Sequence, residues 1–167
     1  MKSLLSIFSC VIVLSACTSY DRPPSVGDVS DEEYFIKTFG YNKDCEKGSK
    51  VSCYLAGDHY KVHGMYDKAK YYYEKGCNFR GAENCFALGS LYTKRTNHKK
   101  AKIYYEKGCD LKDKGSCFAL GNMYYFAQGV EKNIKLSKRY YSLSCLYDFL
   151  PACKNYQDLE DYGHLVP

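Results

Sequence analysis

The stretch Tyr-Tyr-Tyr-Glu-Lys-Gly-Cys at residues 71–77 returns as Ile-Tyr-Tyr-Glu-Lys-Gly-Cys at residues 103–109. A second stretch, Cys-Phe-Ala-Leu-Gly, stands at residues 85–89 and again at 117–121, with the looser copy Cys-Tyr-Leu-Ala-Gly at 53–57. Both stretches recur at an interval of 32 residues, which is typical of proteins built from small stacked units. The chain of 167 residues is therefore predicted to be a repeat protein.

Cysteines follow the same repeat. Four pairs share a separation of eight residues, and successive pairs are 32, 32 and 36 residues apart: Cys45/Cys53, Cys77/Cys85, Cys109/Cys117 and Cys145/Cys153. The longer step contains residues 129–133, Gly-Val-Glu-Lys-Asn, which we interpret as a longer turn inside the last complete unit.

The repeating units have helical periodicity. Small and aromatic residues fall at i, i+3, i+4, i+7 and i+8, a single stripe on a helix: Ala69, Tyr72, Tyr73, Gly76 and Cys77, with a copy 32 residues later. A unit of this length holds two helices of about 13 residues and two short turns, which predicts an all-α fold, an α-solenoid of antiparallel helix pairs. Gly89 and Gly121 recur inside the other helix, where glycine costs about 1 kcal/mol relative to alanine, so we expect close helix contact there.

The cysteine pairs lie at predicted corners between helices. The first cysteine of each pair closes a helix and the second lies in the first turn of the next, so a disulfide between them can clamp the corner. Zinc sites favour Cys-x₂₋₄-Cys and thiol redox centres favour Cys-x-x-Cys, and neither spacing occurs in the chain. Structural disulfides are the favoured interpretation, and we expect no metal and no cofactor.

The amino terminus resembles an export signal. Lys2 precedes an apolar run at residues 4–14 that is shorter than the about 20 residues a spanning helix needs. The sequence Leu14-Ser15-Ala16-Cys17 resembles the lipobox of bacterial lipoproteins, which implies a signal peptide over 1–16 and a lipidated Cys17. An ordinary signal peptide cleaved near Ala16 is the alternative. Of ten cysteines, cleavage removes Cys10, and lipidation of Cys17 would leave eight for pairing, which favours the lipoprotein interpretation.

The mature chain is expected to have three parts: a flexible tether over 17–30, the solenoid over 31–163 and a tail over 164–167. The location expected from the lipobox is the cell envelope, at the outer membrane if the organism is Gram-negative, with extracellular release as a further option. Composition agrees, since 46% hydrophobic and 26% charged residues exclude a disordered chain and an integral membrane protein. A net charge of +5 is too mild to name an acidic partner, and export makes nucleic acid an unfavoured one.

The repeats resemble the Sel1-like repeat family, in particular its disulfide-rich branch, the Helicobacter cysteine-rich proteins. The likeness rests on the Tyr-Glu-Lys-Gly-Cys and Cys-Phe-Ala-Leu-Gly copies, on Cys-x₇-Cys throughout, and on Gln-Gly-Val-Glu-Lys-Asn at 128–133. It implies a right-handed superhelix that scaffolds protein–protein contacts. Two units depart from the family pattern because they lack the four extra turn residues.

Catalytic alternatives are less well supported. Some cysteine-rich members of the family resemble penicillin binders, but the chain has no Ser-x-x-Lys, Ser-Asp-Asn or Lys-Thr-Gly motif for a serine β-lactamase. His59 and His63 stand at i and i+4 near Asp58 and Asp67, a spacing that could present two metal ligands, although a half-exposed structural pair is the favoured interpretation. Weak β-lactam hydrolysis and cell-wall glycan binding remain as alternative functions.

A polar column indicates where a partner could bind. Stacking the repeats aligns two sets of side chains along one face: Asp58, Ser90 and Asn122, followed at i+3 by Lys61, Thr93 and Tyr125. These side chains could hydrogen-bond an extended peptide, a mode the family resemblance also implies. The sequence thus predicts an exported, disulfide-stabilised lipoprotein that acts as a protein- or peptide-binding scaffold.

Overall fold

The computed structural model describes residues 31–165, and the side chains of residues 39–161. The predicted signal peptide, Cys17 and the tether lie outside the described residues. The chain divides into two compact units, Met1–Ile36 and Lys37–Pro167. The described part of the first unit is the start of the first helix, and everything below concerns the second unit unless stated.

The described residues form eight α-helices and no strand, which confirms the all-α prediction. The helices are α1 (Asp31–Glu46), α2 (Lys50–Val62), α3 (Tyr66–Asn78), α4 (Ala82–Lys94), α5 (His98–Asp110), α6 (Lys114–Tyr125), α7 (Ile134–Leu146) and α8 (Leu150–Leu165). The last helix ends inside the predicted tail. None of the helices in the described range is long and apolar enough to cross a membrane.

The helices form two layers. Packing is most extensive within the pairs α2–α3, α4–α5 and α6–α7, and thinner between α3 and α4, α5 and α6, and α7 and α8. Among α2 to α7, even-numbered helices approach one another more closely than odd-numbered ones, since α2 touches α4 and α4 touches α6. The even-numbered helices therefore form the inner layer of the solenoid.

All four predicted disulfides are present, and three of them close the thinly packed corners α3–α4, α5–α6 and α7–α8. Their sulfur–sulfur distances are 2.01–2.05 Å, for Cys45–Cys53, Cys77–Cys85, Cys109–Cys117 and Cys145–Cys153. Both sulfurs of the first three pairs are buried, whereas Cys145 and Cys153 are half-buried. The bonds at α3–α4, α5–α6 and α7–α8 thus hold helices together where the packing between them is least extensive.

Each bridged corner ends its first helix in the same way. The residue three positions after the first cysteine has a left-handed backbone, with φ between 59° and 100°: Gly48, Arg80, Lys112 and Asp148. Backbone hydrogen bonds such as Gly81 N–H to the Gly76 carbonyl (2.9 Å) and Arg80 N–H to the Cys77 carbonyl (3.0 Å) complete a Schellman motif. Three corners adopt this turn without glycine at the left-handed position, so glycine is not required for it.

Tyrosine rings pack directly on the recurrent glycines. A β-carbon built on the glycine would lie 2.5–2.6 Å from a ring atom in three repeats: Gly57 against Tyr73, Gly89 against Tyr105 and Gly121 against Tyr141. Only glycine permits this approach, which confirms the close helix contact expected at these positions. The three tyrosines are buried, with at most 5% of their surface exposed.

A second set of tyrosines stacks in pairs between neighbouring helices. Ring centroids are 5.3–5.7 Å apart and the rings are nearly parallel: Tyr60/Tyr72, Tyr92/Tyr104 and Tyr124/Tyr140. Burial raises the pKa of Tyr72 to about 12, and the nearby Tyr60 adds to the effect. Burial likewise raises the pKa of Tyr104 to about 12, helped by the hydrogen bond that its hydroxyl donates to Glu74 (3.1 Å).

These tyrosines should make the protein unstable in alkali. An unfolded tyrosine ionises near pH 10, as in model peptides, whereas folded Tyr72 and Tyr104 hold their protons to about pH 12. The contribution of these two tyrosines to the free energy of unfolding should be constant below about pH 10 and fall as pH rises to about 12, because the unfolded chain loses these protons first. Urea unfolding at a series of pH values, followed by circular dichroism, measures the slope.

The Tyr104→Phe variant is the control for this slope. It should show a shallower fall in stability over the same pH interval, since one of the tyrosines with a raised pKa is gone. Identical slopes for the two proteins would contradict the assignment to Tyr104.

Candidate functional site

The predicted polar column lies on the inner layer. Asp58, Ser90 and Asn122 each follow the second cysteine of a pair by five residues, and they project from α2, α4 and α6. All three are half-buried. Because the inner helices touch one another, the three side chains share one face, which we call the inner groove.

Each column residue accepts a hydrogen bond from the tyrosine that packs on the neighbouring glycine. The hydroxyl donates over 2.7–3.4 Å in three repeats: Tyr73 to Asp58, Tyr105 to Ser90 and Tyr141 to Asn122. Burial and the Asp58 carboxylate raise the pKa of Tyr73, which keeps this donor protonated. The sequence predicts Asp58, Ser90 and Asn122 as ligand contacts, and the structure adds a role in orienting the tyrosines.

The second set of predicted residues meets the first at the same tyrosines. Lys61 forms an ion pair with Asp58. The Thr93 hydroxyl donates to the Gly89 carbonyl (3.1 Å) and lies 3.1 Å from the Tyr105 hydroxyl. Tyr125 lines a cavity with Tyr141. The structure therefore brings all six predicted residues together as three pairs along the inner groove.

Asn122 differs from its counterparts in the hydrogen-bonding group that it leaves available to a ligand. Its side-chain oxygen is used by Tyr141 at 2.7 Å, which fixes the amide plane. Its Nδ2 group has no partner among the described residues. An oriented amide donor is thus presented where an extended chain could lie.

Asp158 is a fourth member of the polar column, and it was not predicted from the sequence. This residue follows Cys153 by five positions, the register of Asp58, Ser90 and Asn122, and it lies on α8. The signal was available in the cysteine spacing, but α8 lacks the Cys-Phe-Ala-Leu-Gly copy that drew attention to the other helices.

Asp158 borders the principal cavities of the groove. One has a volume of about 460 Å³ and is lined by Tyr125, Lys132, Ile134, Asp158 and Leu159. The adjoining one, about 140 Å³, shares three of those residues and adds Phe126, Tyr141 and Asn155. We call the two together the C-terminal cleft. The turn over residues 126–133 joins α6 to α7 and supplies one wall of the cleft. It is longer than the turns that join α2 to α3 and α4 to α5.

The candidate metal ligands do not assemble into a metal site. The rings of His59 and His63 stack with centroids 4.7 Å apart, and Nδ1 of His63 lies 2.9 Å from the His59 carbonyl oxygen. Burial, and then the nearby His63, lower the pKa of His59. A carboxylate oxygen of Asp67 lies 3.7 Å from the Arg95 guanidinium. Within the described residues, no three His, Cys, Asp or Glu side chains form a group that could hold a metal ion.

Comparison with known proteins matches three stretches of the chain to the family described as Sel1 repeat: residues 51–78, 79–113 and 115–146. Each stretch covers one tightly packed helix pair. The disulfides Cys77–Cys85 and Cys109–Cys117 consequently join one repeat to the next rather than closing a repeat on itself. No curated protein matches the chain.

Three solved structures resemble the fold. A protective antigen of uropathogenic Escherichia coli with an SLR fold is 22% identical with a TM-score of 0.67, over 75% of this chain and 29% of that one. A Sel1 repeat protein from Oxalobacter formigenes is 18% identical with a TM-score of 0.63, over 72% of this chain and 96% of that one. Helicobacter pylori cysteine rich protein B is 27% identical with a TM-score of 0.59, over 77% and 98%.

Proposed function

Because the chain belongs to the Sel1 repeat family, we propose that it is an exported scaffold whose inner groove binds an extended segment of a partner protein or peptide. The observation that carries the proposal is the aligned polar column, in which buried tyrosine hydroxyls orient Asp58, Ser90 and Asn122. Side chains held in place before binding lose little entropy when a partner arrives. A peptide backbone offers a carbonyl group that can accept a hydrogen bond from the Nδ2 group of Asn122.

Export is supported by the disulfides and by the amino terminus. Four disulfides in one small domain are typical of an oxidising compartment. The lipobox-like sequence ending at Cys17 supports cleavage before that residue and its lipidation. The proposal therefore places the scaffold at the cell envelope, at the outer membrane in a Gram-negative organism or released from it. An acyl chain contributes about 0.8 kcal/mol of membrane binding per buried CH₂ group.

Peptide selection tests the groove. The oxidised protein is immobilised and peptides are selected from a random displayed library, then their affinities are measured by calorimetry. Asn122→Ala should weaken a selected peptide at least tenfold, about 1.4 kcal/mol, because an oriented amide donor is lost.

The matched control is Asn78→Ala, which removes an exposed amide at the end of α3, away from the inner groove. Its peptide affinities should equal those of the unchanged protein, and circular dichroism should show that both variants are folded. Selected peptides that bind both variants equally well would overturn the assignment of the groove.

A further inference from the structure

Asp158 is the one member of the polar column whose carboxylate is free. Asp58, Ser90 and Asn122 each accept a hydrogen bond from the hydroxyl of a tyrosine on the next odd-numbered helix, and Asp58 also pairs with Lys61. Asp158 lies on α8, and none of the hydrogen bonds among the described residues joins it to a tyrosine. Within the described part of the chain, Asp158 has neither a hydrogen-bond partner nor an ion-pair partner.

The walls around this carboxylate are aromatic and aliphatic. Tyr125 and Leu159 border both cavities of the C-terminal cleft, and Ile134 closes the larger one. A volume of about 460 Å³ lies in the range of ordinary ligand pockets. A long side chain with an apolar stem and a charged end suits a cleft of this composition.

The Tyr125 ring already has a cation over it. The ammonium of Lys132, an exposed residue in the turn before α7, lies 5.7 Å from the ring centroid. This distance is within the range of a cation–π interaction. Lys132 also lines the larger cavity, so it would compete with an incoming cation for the Tyr125 ring.

Charge is distributed unevenly between the two layers. The outer helices α3, α5 and α7 carry ten Lys and Arg residues against four Asp and Glu residues. The inner helices α2, α4, α6 and α8 carry five of each, and α8 alone has three acidic residues and one lysine. The excess of acidic residues on α8 favours a positively charged ligand group at the C-terminal cleft.

We propose that the C-terminal cleft is a specificity pocket for an arginine side chain of the bound peptide. The planar guanidinium stacks on Tyr125 and donates two hydrogen bonds to Asp158, while the aliphatic stem packs against Leu159 and Ile134. This inference rests on the proposed function, since the arginine belongs to a peptide that lies in the inner groove. The pocket would fix the register of that peptide.

The test uses two small probes, N-acetyl-arginine amide and N-acetyl-citrulline amide, which have nearly the same shape but differ in charge. Each is titrated into the isotope-labelled oxidised protein and followed by nuclear magnetic resonance. The arginine probe should shift the resonances of Tyr125, Asp158 and Leu159 with a dissociation constant on the order of 1 mM, and the citrulline probe should bind at least tenfold more weakly. Equal responses to the two probes, or shifts confined to other residues, would overturn the proposal.

Two variants identify the carboxylate. Asp158→Asn should abolish the preference for arginine over citrulline. Asp161→Asn makes the same change three residues further along α8, where the carboxylate accepts a hydrogen bond from Gln157 (3.0 Å), and should leave the preference intact. Lys132→Ala should strengthen arginine binding because it removes the competing cation. A preference retained in Asp158→Asn, or lost equally in Asp161→Asn, contradicts the pocket.

The outcomes separate this inference from the proposed function. Selected peptides that are sensitive to Asn122→Ala but show no need for arginine leave the groove standing and overturn the pocket. Arginine binding that depends on Asp158, combined with peptide affinities unaffected by Asn122→Ala, supports the pocket and overturns the groove.

Discussion

Reduction of the four disulfides should unfold the repeats at room temperature. Each bond closes a nine-residue loop, which is worth about 2.5 kcal/mol in the loop-entropy model, so the four together contribute about 10 kcal/mol. Small domains are stable by only about 5–15 kcal/mol in total. Three of the bonds also lie at the corners where helix packing is thinnest, α3–α4, α5–α6 and α7–α8, so little else holds these corners together. Thermal unfolding followed by circular dichroism, with and without a phosphine reductant, measures the loss.

The terminal bond provides the internal comparison. Cys145–Cys153 is half-buried whereas the sulfurs of the other three bonds are buried, so it should be the first to react with limiting reductant. A protein with Cys145→Ser and Cys153→Ser should lose about 2.5 kcal/mol and remain folded. A fully reduced sample, with eight thiols titrated, that melts at the same temperature as the oxidised one would contradict this account.

Alanine at Gly89 should be far more costly than alanine at Gly40. The new β-carbon at Gly89 would lie 2.6 Å from the ring of Tyr105, which is 5% exposed and cannot move aside without disturbing α5. Overpacking of this kind costs about 1–3 kcal/mol. At Gly40, inside α1, nothing lies within 4 Å of the built β-carbon. Urea unfolding of the two variants measures the difference.

This pair of variants isolates the collision. Both substitutions gain about the same helix propensity, up to about 1 kcal/mol, so that gain cancels in the comparison. Gly40→Ala should equal or exceed the unchanged protein in stability, and Gly89→Ala should fall below it. If the two variants unfold at the same urea concentration, the ring does not need the glycine.

Much of the fold could be predicted because its determinants are local and repeated. Helical spacing within residues 71–77 and the eight-residue cysteine separation are properties of short segments, and each recurs often enough to be recognised. The close approach at Gly89 could be expected from its helix cost alone. The confirmed fold class and disulfides follow from these short-range patterns.

The site was less accessible from sequence because its contacts connect different helices. The hydroxyl of Tyr141 reaches Asn122 from a residue 19 positions away, and no local pattern signals that bond. Asp158 lies in a helix whose sequence diverges from the other repeats, so its register was visible only by counting from Cys153. Peptide binding by the column and lipidation of Cys17 stay predictions.

The placement of the disulfides also determines what a protease can do to the chain. A cut inside any of the four nine-residue rings leaves both pieces covalently joined, even at exposed Arg80 or Lys112. A cut in the turns after α2, α4 or α6 can separate the chain, but there the two pieces share the largest helix interfaces. Every corner between the described helices is thus secured either by a covalent bond or by extensive packing, so a single cut should leave the two pieces of the chain together.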